Sequence, residues 1–145
     1  MRYVVDASVA LKWFFQSDAD EDHLDQAIAL LRASCERNIE FVQPPHFIAE
    51  VAAVLARKKP EMAEADLRDL LALDLRIIED SLIYAYACDL SIRLNHHLFD
   101  TLYHAVALHT RDTVLITADR RYFDKAQAIG RMLWLGDLHL ASARI

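Results

Sequence analysis

TVLIT, residues 113–117, is followed after one alanine by Asp119. The run shows no polar alternation, so it reads as a strand buried on both faces, the kind used in parallel sheets. Asp119 then opens a helix predicted to reach Ile129, where Gly130 stops it. The N-terminus repeats this design: RYVVD, residues 2–6, is β-branched and aromatic, ends on Asp6 and leads into a helical stretch over 7–15. An ionised carboxylate at the end of a buried strand costs several kcal/mol unless something pairs with it. Two such acids therefore ask for a common explanation.

The rest of the chain fills in around these two strands. Residues 17–25, SDADEDHLD, read as an acidic loop and helix start with Ser17 or Asp18 as N-cap. The helix that follows is predicted to run to about Asn38, with Leu24, Ile28, Leu31 and Cys35 on one face. IEFVQ, 39–43, is the second strand. PPHFIAEVAAVLARKK opens a helix with proline and closes it on Arg57, Lys58 and Lys59. Further helices are expected over 61–73, 82–94 and 99–110, and further strands over 75–80 and 131–135. With two glycines and three prolines, loops are short. Alternating strands and helices imply an α/β fold, a central parallel sheet of about five strands flanked by helices on both faces. In such sheets the ligand site lies beyond the C-terminal strand ends, which is where Asp6 and Asp119 belong.

A chain of 145 residues, 54% of them hydrophobic, suits a single globular domain over 1–145. No apolar run approaches the roughly 18 residues needed to span a bilayer, and the start lacks the h-region of a signal peptide. Cys35 and Cys88 lie far apart and read as reduced, core-type thiols of a cytoplasmic protein. The net charge of −6, from 16 Lys and Arg against 22 Asp and Glu, disfavours a protein that only grips phosphate backbones. It is compatible with an enzyme that approaches phosphates through a metal ion.

Two more acids stand out by their neighbours. Glu50 in FIAEVAAVL shares its helical face with His46, Phe47 and Val54, and Asp100 in DTLYHAVAL shares one with Tyr103, His104 and Ala107. Each acid also has an ordinary reading: Asp6, Asp100 and Asp119 as helix caps, and Glu50 as the partner of a core arginine. Four carboxylates brought together would repel, and a divalent cation is the usual compensation. An all-oxygen set selects hard Mg²⁺ or Mn²⁺ over zinc, and the chemistry this suggests is phosphodiester hydrolysis.

VVDASVALKWF, PPHFIAEVAAVL and LFDTLYHAVALHTRDTVLITADRRYF together resemble the PIN-domain ribonucleases, most closely the VapC-type toxins of toxin–antitoxin pairs. The resemblance covers essentially the whole chain, with Phe99–Phe123 its most specific part. It implies a PIN fold and a Mg²⁺- or Mn²⁺-dependent endoribonuclease whose acidic positions match Asp6, Glu50, Asp100 and Asp119. Asp6 and Asp100 are then the first choices as direct metal ligands, with Glu50 and Asp119 acting directly or through water. Ser8, in D-x-S, and Thr117, in T-x-D, match positions that support the site by hydrogen bonding. The resemblance also implies an RNA substrate, a homodimer and inhibition by a cognate VapB-type antitoxin.

Other residues keep two readings. Arg120 and Arg121 either meet RNA phosphates or sit on the surface of the last helix, and Lys12, Arg57, Lys58 and Lys59 are similarly open. Asp124 is either peripheral to the site or a solvated helix position. The seven histidines form no HExxH or Cys/His finger, and His96, His97, His104 and His109 read as loop and helix-surface residues. Histidine acid–base catalysis would leave the four acids unexplained. An aspartyl-phosphate mechanism of the haloacid-dehalogenase type would want D-x-D where this chain has Asp6-Ala7-Ser8. A PIN nuclease of RNA processing and a catalytically silent PIN-like interaction module complete the alternatives.

Overall fold

The computed structural model describes residues 1–17 and 22–140. Five strands form one sheet: β1 (Arg2–Val5), β2 (Glu40–Gln43), β3 (Leu75–Ile77), β4 (Thr113–Thr117) and β5 (Met132–Trp134). Their order is β3-β2-β1-β4-β5, and every pairing is parallel. The helices are α1 (Ala7–Phe14), α2 (Leu24–Cys35), α3 (Phe47–Lys58), α4 (Ala63–Leu71), α5 (Ser81–Leu94), α6 (Leu98–His109) and α7 (Arg120–Ala126). A short 3-10 turn, Gln127–Ile129, extends α7 towards Gly130. The α/β sheet flanked by helices is the fold the alternation predicts. Among the described residues, no helix is long and apolar enough to cross a membrane.

The two central strands are the most buried, as continuous apolar runs require. Val4, Val5, Leu115 and Ile116 are all sealed from solvent, and β1 pairs with β4 along its whole length, Val5 opposite Ile116. From β1 the chain steps outward to β2 and β3, then crosses back to β4 and β5. The direction of winding therefore reverses between β1 and β4. That switch point is where open parallel sheets bind ligands, and α6 lies against it, packing on β4, β1 and β2.

Pairing between β1 and β2 is shorter, reaching only from Arg2–Glu40 to Tyr3–Phe41. Beyond it, the buried side chain of Gln43 takes over the ladder. Its Oε1 accepts from Val5 N at 2.8 Å and its Nε2 donates to Val5 O at 2.7 Å. A side-chain amide thus satisfies the last residue of β1 on the side facing β2.

Several elements depart from the sequence reading. On α2 the buried stripe is Ala27, Leu30 and Ser34, so the helix is rotated from the face of Leu24, Ile28, Leu31 and Cys35. A helix rich in leucine and alanine on several sides does not determine its own rotation. That helix starts at Leu24, behind His23 in the left-handed region, and Asp18 lies outside the described residues. Pro44 and Pro45 precede α3 rather than opening it, and β3 is three residues long. Cys35 and Cys88 are exposed free thiols, not core groups, because α5 buries Ile83, Ala87 and Leu90 instead.

Candidate active site

Asp6 leaves the end of β1 with extended backbone and caps α1, its Oδ1 accepting from Val9 N at 3.3 Å. The ordinary capping role and the site role coincide in this residue. Ser8 donates its hydroxyl to the same oxygen, and Thr117, at the end of β4, donates to Oδ2. Burial pushes the Asp6 carboxyl up to about 7, against the lowering effect of the Ser8 and Thr117 hydroxyls, and the Asp100 charge raises it further. The expected supports of D-x-S and T-x-D are thus both present. They also join the two strand ends, since Ala118 N donates to Ser8 Oγ at 3.1 Å and Asp119 N to Thr117 Oγ1 at 3.0 Å.

Glu50 stands in the first turn of α3 and accepts from the Tyr103 hydroxyl at 2.5 Å. His46, one turn earlier, brings Nε2 within 3.3 Å of it. Burial raises the Glu50 pKa, but bonds from His46 and Tyr103 and the nearby His46 and His97 charges outweigh it, so the net shift is downward. Tyr103 is almost fully buried on α6, and its hydroxyl is held firmly protonated by burial and by the charges of Glu50, Asp6 and Asp100. One phenol therefore feels three of the four acids.

Asp100 lies in the first turn of α6 and is not its cap, a position held by His97. Its Oδ2 meets His96 Nε2 at 2.6 Å and His97 Nε2 at 3.2 Å. Asp119 is the N-cap of α7, with Oδ1 accepting from Tyr122 N at 3.3 Å. The acids share the C-terminal edge of the sheet without closing into a tight cage. Among the described residues, the one group of three metal-ligand types with atoms mutually within 4.8 Å is His96, His97 and Asp100.

The basic residues after Asp119 separate. The Arg120 guanidinium lies over the Trp134 ring at 3.9 Å and pairs with Asp124 at 3.8 Å, which favours its surface reading. Arg121 is exposed, and Asp124 is a solvated position on α7. His96 lies in the loop between α5 and α6, as read, but with its side chain turned inward, and the helix-surface reading of His104 is overturned. The His96 side chain is 5% exposed, and His104 is wholly buried between the Tyr122 hydroxyl and the Gly130 carbonyl. For His96 the missed signal was the spacing: it precedes Asp100 by four residues, as His46 precedes Glu50. Gln43 was missed because nothing local distinguishes it from a polar strand end.

The family model for the PIN domain matches residues 3–129, a span that contains all four acids. The chain belongs to the PIN-domain family. No curated protein sequence matches it. Among solved structures this PIN domain is similar to a chain of VapBC2 from Rickettsia felis bound to a DNA fragment from its promoter. The TM-score is 0.66 at 18% identity, over 92% of this chain and 97% of that one. It is similar to a chain of DNA-bound VapBC from Salmonella typhimurium, with TM-score 0.64 and 13% identity over 93% and 98% of the two chains. VapBC-1 from nontypeable Haemophilus influenzae gives 0.57 and 16% over 92% and 96%. At these identities the likeness is one of fold, and it extends over nearly the whole PIN domain.

Proposed function

We propose that residues 1–145 form a single PIN domain that hydrolyses RNA phosphodiester bonds as a divalent-metal-dependent endoribonuclease, the toxin of a VapBC-type pair. The observation that carries this reading is the buried Asp6 at the switch point, held by the Ser8 and Thr117 hydroxyls, which in turn accept from Ala118 N and Asp119 N. Asp119 is tied to Asp6 through the Thr117 hydroxyl. A purely structural role has no use for a carboxyl raised to about 7 by burial at the ligand-binding edge of the sheet. A silent interaction module would not need one.

The donor set fits a hard cation. All four side chains offer oxygen, the ligand type preferred by Mg²⁺ or Mn²⁺, which take one or two carboxylates and keep several waters. Asp6 and Asp100 would hold the ion directly, with Glu50 and Asp119 reaching it through water. When bound, the ion supplies charge stabilisation at the phosphate and a more acidic water. Ser8 and Thr117 hold the Asp6 carboxylate by donating to its two oxygens, so its ionised form needs no reorganisation when a cation arrives. Glu50, kept ionised by His46 and Tyr103, suits the orientation of a water better than the acceptance of its proton. Buried Tyr103 fixes Glu50 and excludes solvent behind it.

The VapBC resemblance of the fold supports a VapB-type antitoxin as partner, and in this proposal the chain meets it as a homodimer. Exposed apolar side chains on α5, Leu82, Tyr86 and Ile92, with Phe99 on α6, offer surface for such contacts. The test is cleavage of structured and unstructured RNAs by protein freed of antitoxin, with Mg²⁺, Mn²⁺ or EDTA. Cleavage is expected with either ion and lost in EDTA, and Asp6→Asn and Asp100→Asn should each reduce it by at least about 100-fold. Activity that survives EDTA or both substitutions would overturn the proposal.

A further inference from the structure

His96 is a buried polar side chain that the proposed chemistry leaves without a task. It follows Asn95, which ends α5 in the left-handed region (φ 48°). The peptide group of His96 is tied back to that helix: its N donates to Ser91 O at 3.1 Å, and its carbonyl accepts from Ser91 Oγ at 2.5 Å. The ring packs edge-on against Tyr122 at 4.9 Å and stacks on His97 at 4.9 Å. Backbone and ring are therefore both anchored, and Nε2 lies 2.6 Å from Asp100 Oδ2.

The other ring nitrogen decides what His96 does there. Lys125 Nζ, held by the Asn95 carbonyl at 2.9 Å, lies 3.3 Å from His96 Nδ1. An ammonium group only donates, so Nδ1 accepts and the ring proton sits on Nε2. His96 then donates to Asp100, and its Nε2 has no lone pair to give a metal. The cluster of His96, His97 and Asp100 is consequently a poor ion site in its own right, despite its ligand-like spacing. Both histidine contacts fall on Oδ2, which leaves Oδ1 for a cation. Ligating carboxylates depend on such outer partners for orientation.

We infer that His96, with its tautomer set by Lys125, is the positioning residue that aims Asp100 at the divalent cation. The inference rests on the metal-dependent reading of the site. It assigns unequal weight to the two histidines: His96 is 5% exposed, whereas His97 is 65% exposed and its contact is longer.

The test is Mn²⁺ binding by the full chain, read from the loss of the free-ion electron paramagnetic resonance signal, with melting curves confirming the fold of each variant. His96→Leu is expected to weaken Mn²⁺ binding by about 10–100-fold. His96→Gln, which restores an N–H donor, should recover most of that loss. A packing role would rank the variants the other way. Lys125→Met, a surface change, should weaken binding to a lesser degree by releasing the tautomer, and His97→Ala should cost less than His96→Leu. Unchanged affinity in His96→Leu, failure of His96→Gln to rescue, or equal losses at His96 and His97 would overturn the inference. If His96→Leu loses Mn²⁺ while Asp6→Asn retains it fully, the ring is a ligand and the inference falls. Should the unsubstituted protein bind no Mn²⁺, the nuclease reading fails and takes this inference with it.

Discussion

Burial raises the Asp6 carboxyl from 3.8 to about 7, against the hydroxyls of Ser8 and Thr117 that favour its ionised form. A folded-state pKa above the unfolded one means that the metal-free fold prefers this acid protonated. The contribution is fully present below the unfolded value and is lost as pH climbs through about 7, by about 4 kcal/mol at the limit. In EDTA at about pH 8, Asp6→Asn should therefore melt above the unsubstituted protein, and the gap should close towards about pH 4. Mg²⁺ should reverse the ranking at high pH, since it stabilises only the carboxylate, and its effect on the melting temperature should fade below about pH 7. Differential scanning fluorimetry across pH measures both. Equal melting temperatures for the two proteins at high pH would mean that Asp6 is not desolvated. This residue was legible in the sequence, because a charge after YVV has few other uses. Its partners Ser8 and Thr117 were legible only through the family resemblance.

Strands β1 and β2 part company before Asp6, and Gln43 spans the gap with two side-chain bonds to Val5. Replacing it removes both bonds and leaves the buried Val5 N–H and C=O without partners, at about 1–3 kcal/mol for each. Gln43→Leu should accordingly lower unfolding free energy by about 2–6 kcal/mol in urea titrations. It should also reduce catalysis in the folded fraction, because Val5 is the residue that delivers Asp6. A loss below about 0.5 kcal/mol would show that strand packing alone holds the end of β1. No local pattern marks Gln43, since the bond is made to a strand 38 positions away. The rotation of α2 escaped the sequence for a related reason: Ala27, Leu30 and Ser34 are chosen by what packs over them, not by their own polarity. Strand β4, by contrast, was read to its exact bounds, since nothing but a buried strand accommodates TVLIT.

A molecule of net charge −6 has no long-range attraction for RNA. Arg120, the basic residue nearest the acidic edge in sequence, is spent on the Trp134 ring and Asp124. Affinity for substrate should then depend on the bound cation more than on surface lysines and arginines. Fluorescence anisotropy with a non-cleavable RNA is expected to show at least about tenfold weaker binding in EDTA than in Mn²⁺ at low salt. Binding that is unaffected by EDTA would point to a basic RNA surface away from the acids.

By itself, the sequence determined the class of fold, the acids worth attention and the sheet edge to which Asp6 and Asp119 belong. These follow from local rules: buried strands are uniformly apolar, and parallel sheets turn their C-terminal ends towards ligands. Only the tertiary structure decided how the acids are held. Tyr103 on Glu50, Thr117 on Asp6, and Lys125 behind His96 on Asp100 each bring together groups from separate elements or adjoining turns. Such pairings depend on how the elements pack, and the identity of a residue does not reveal which neighbour will finish its hydrogen bonds.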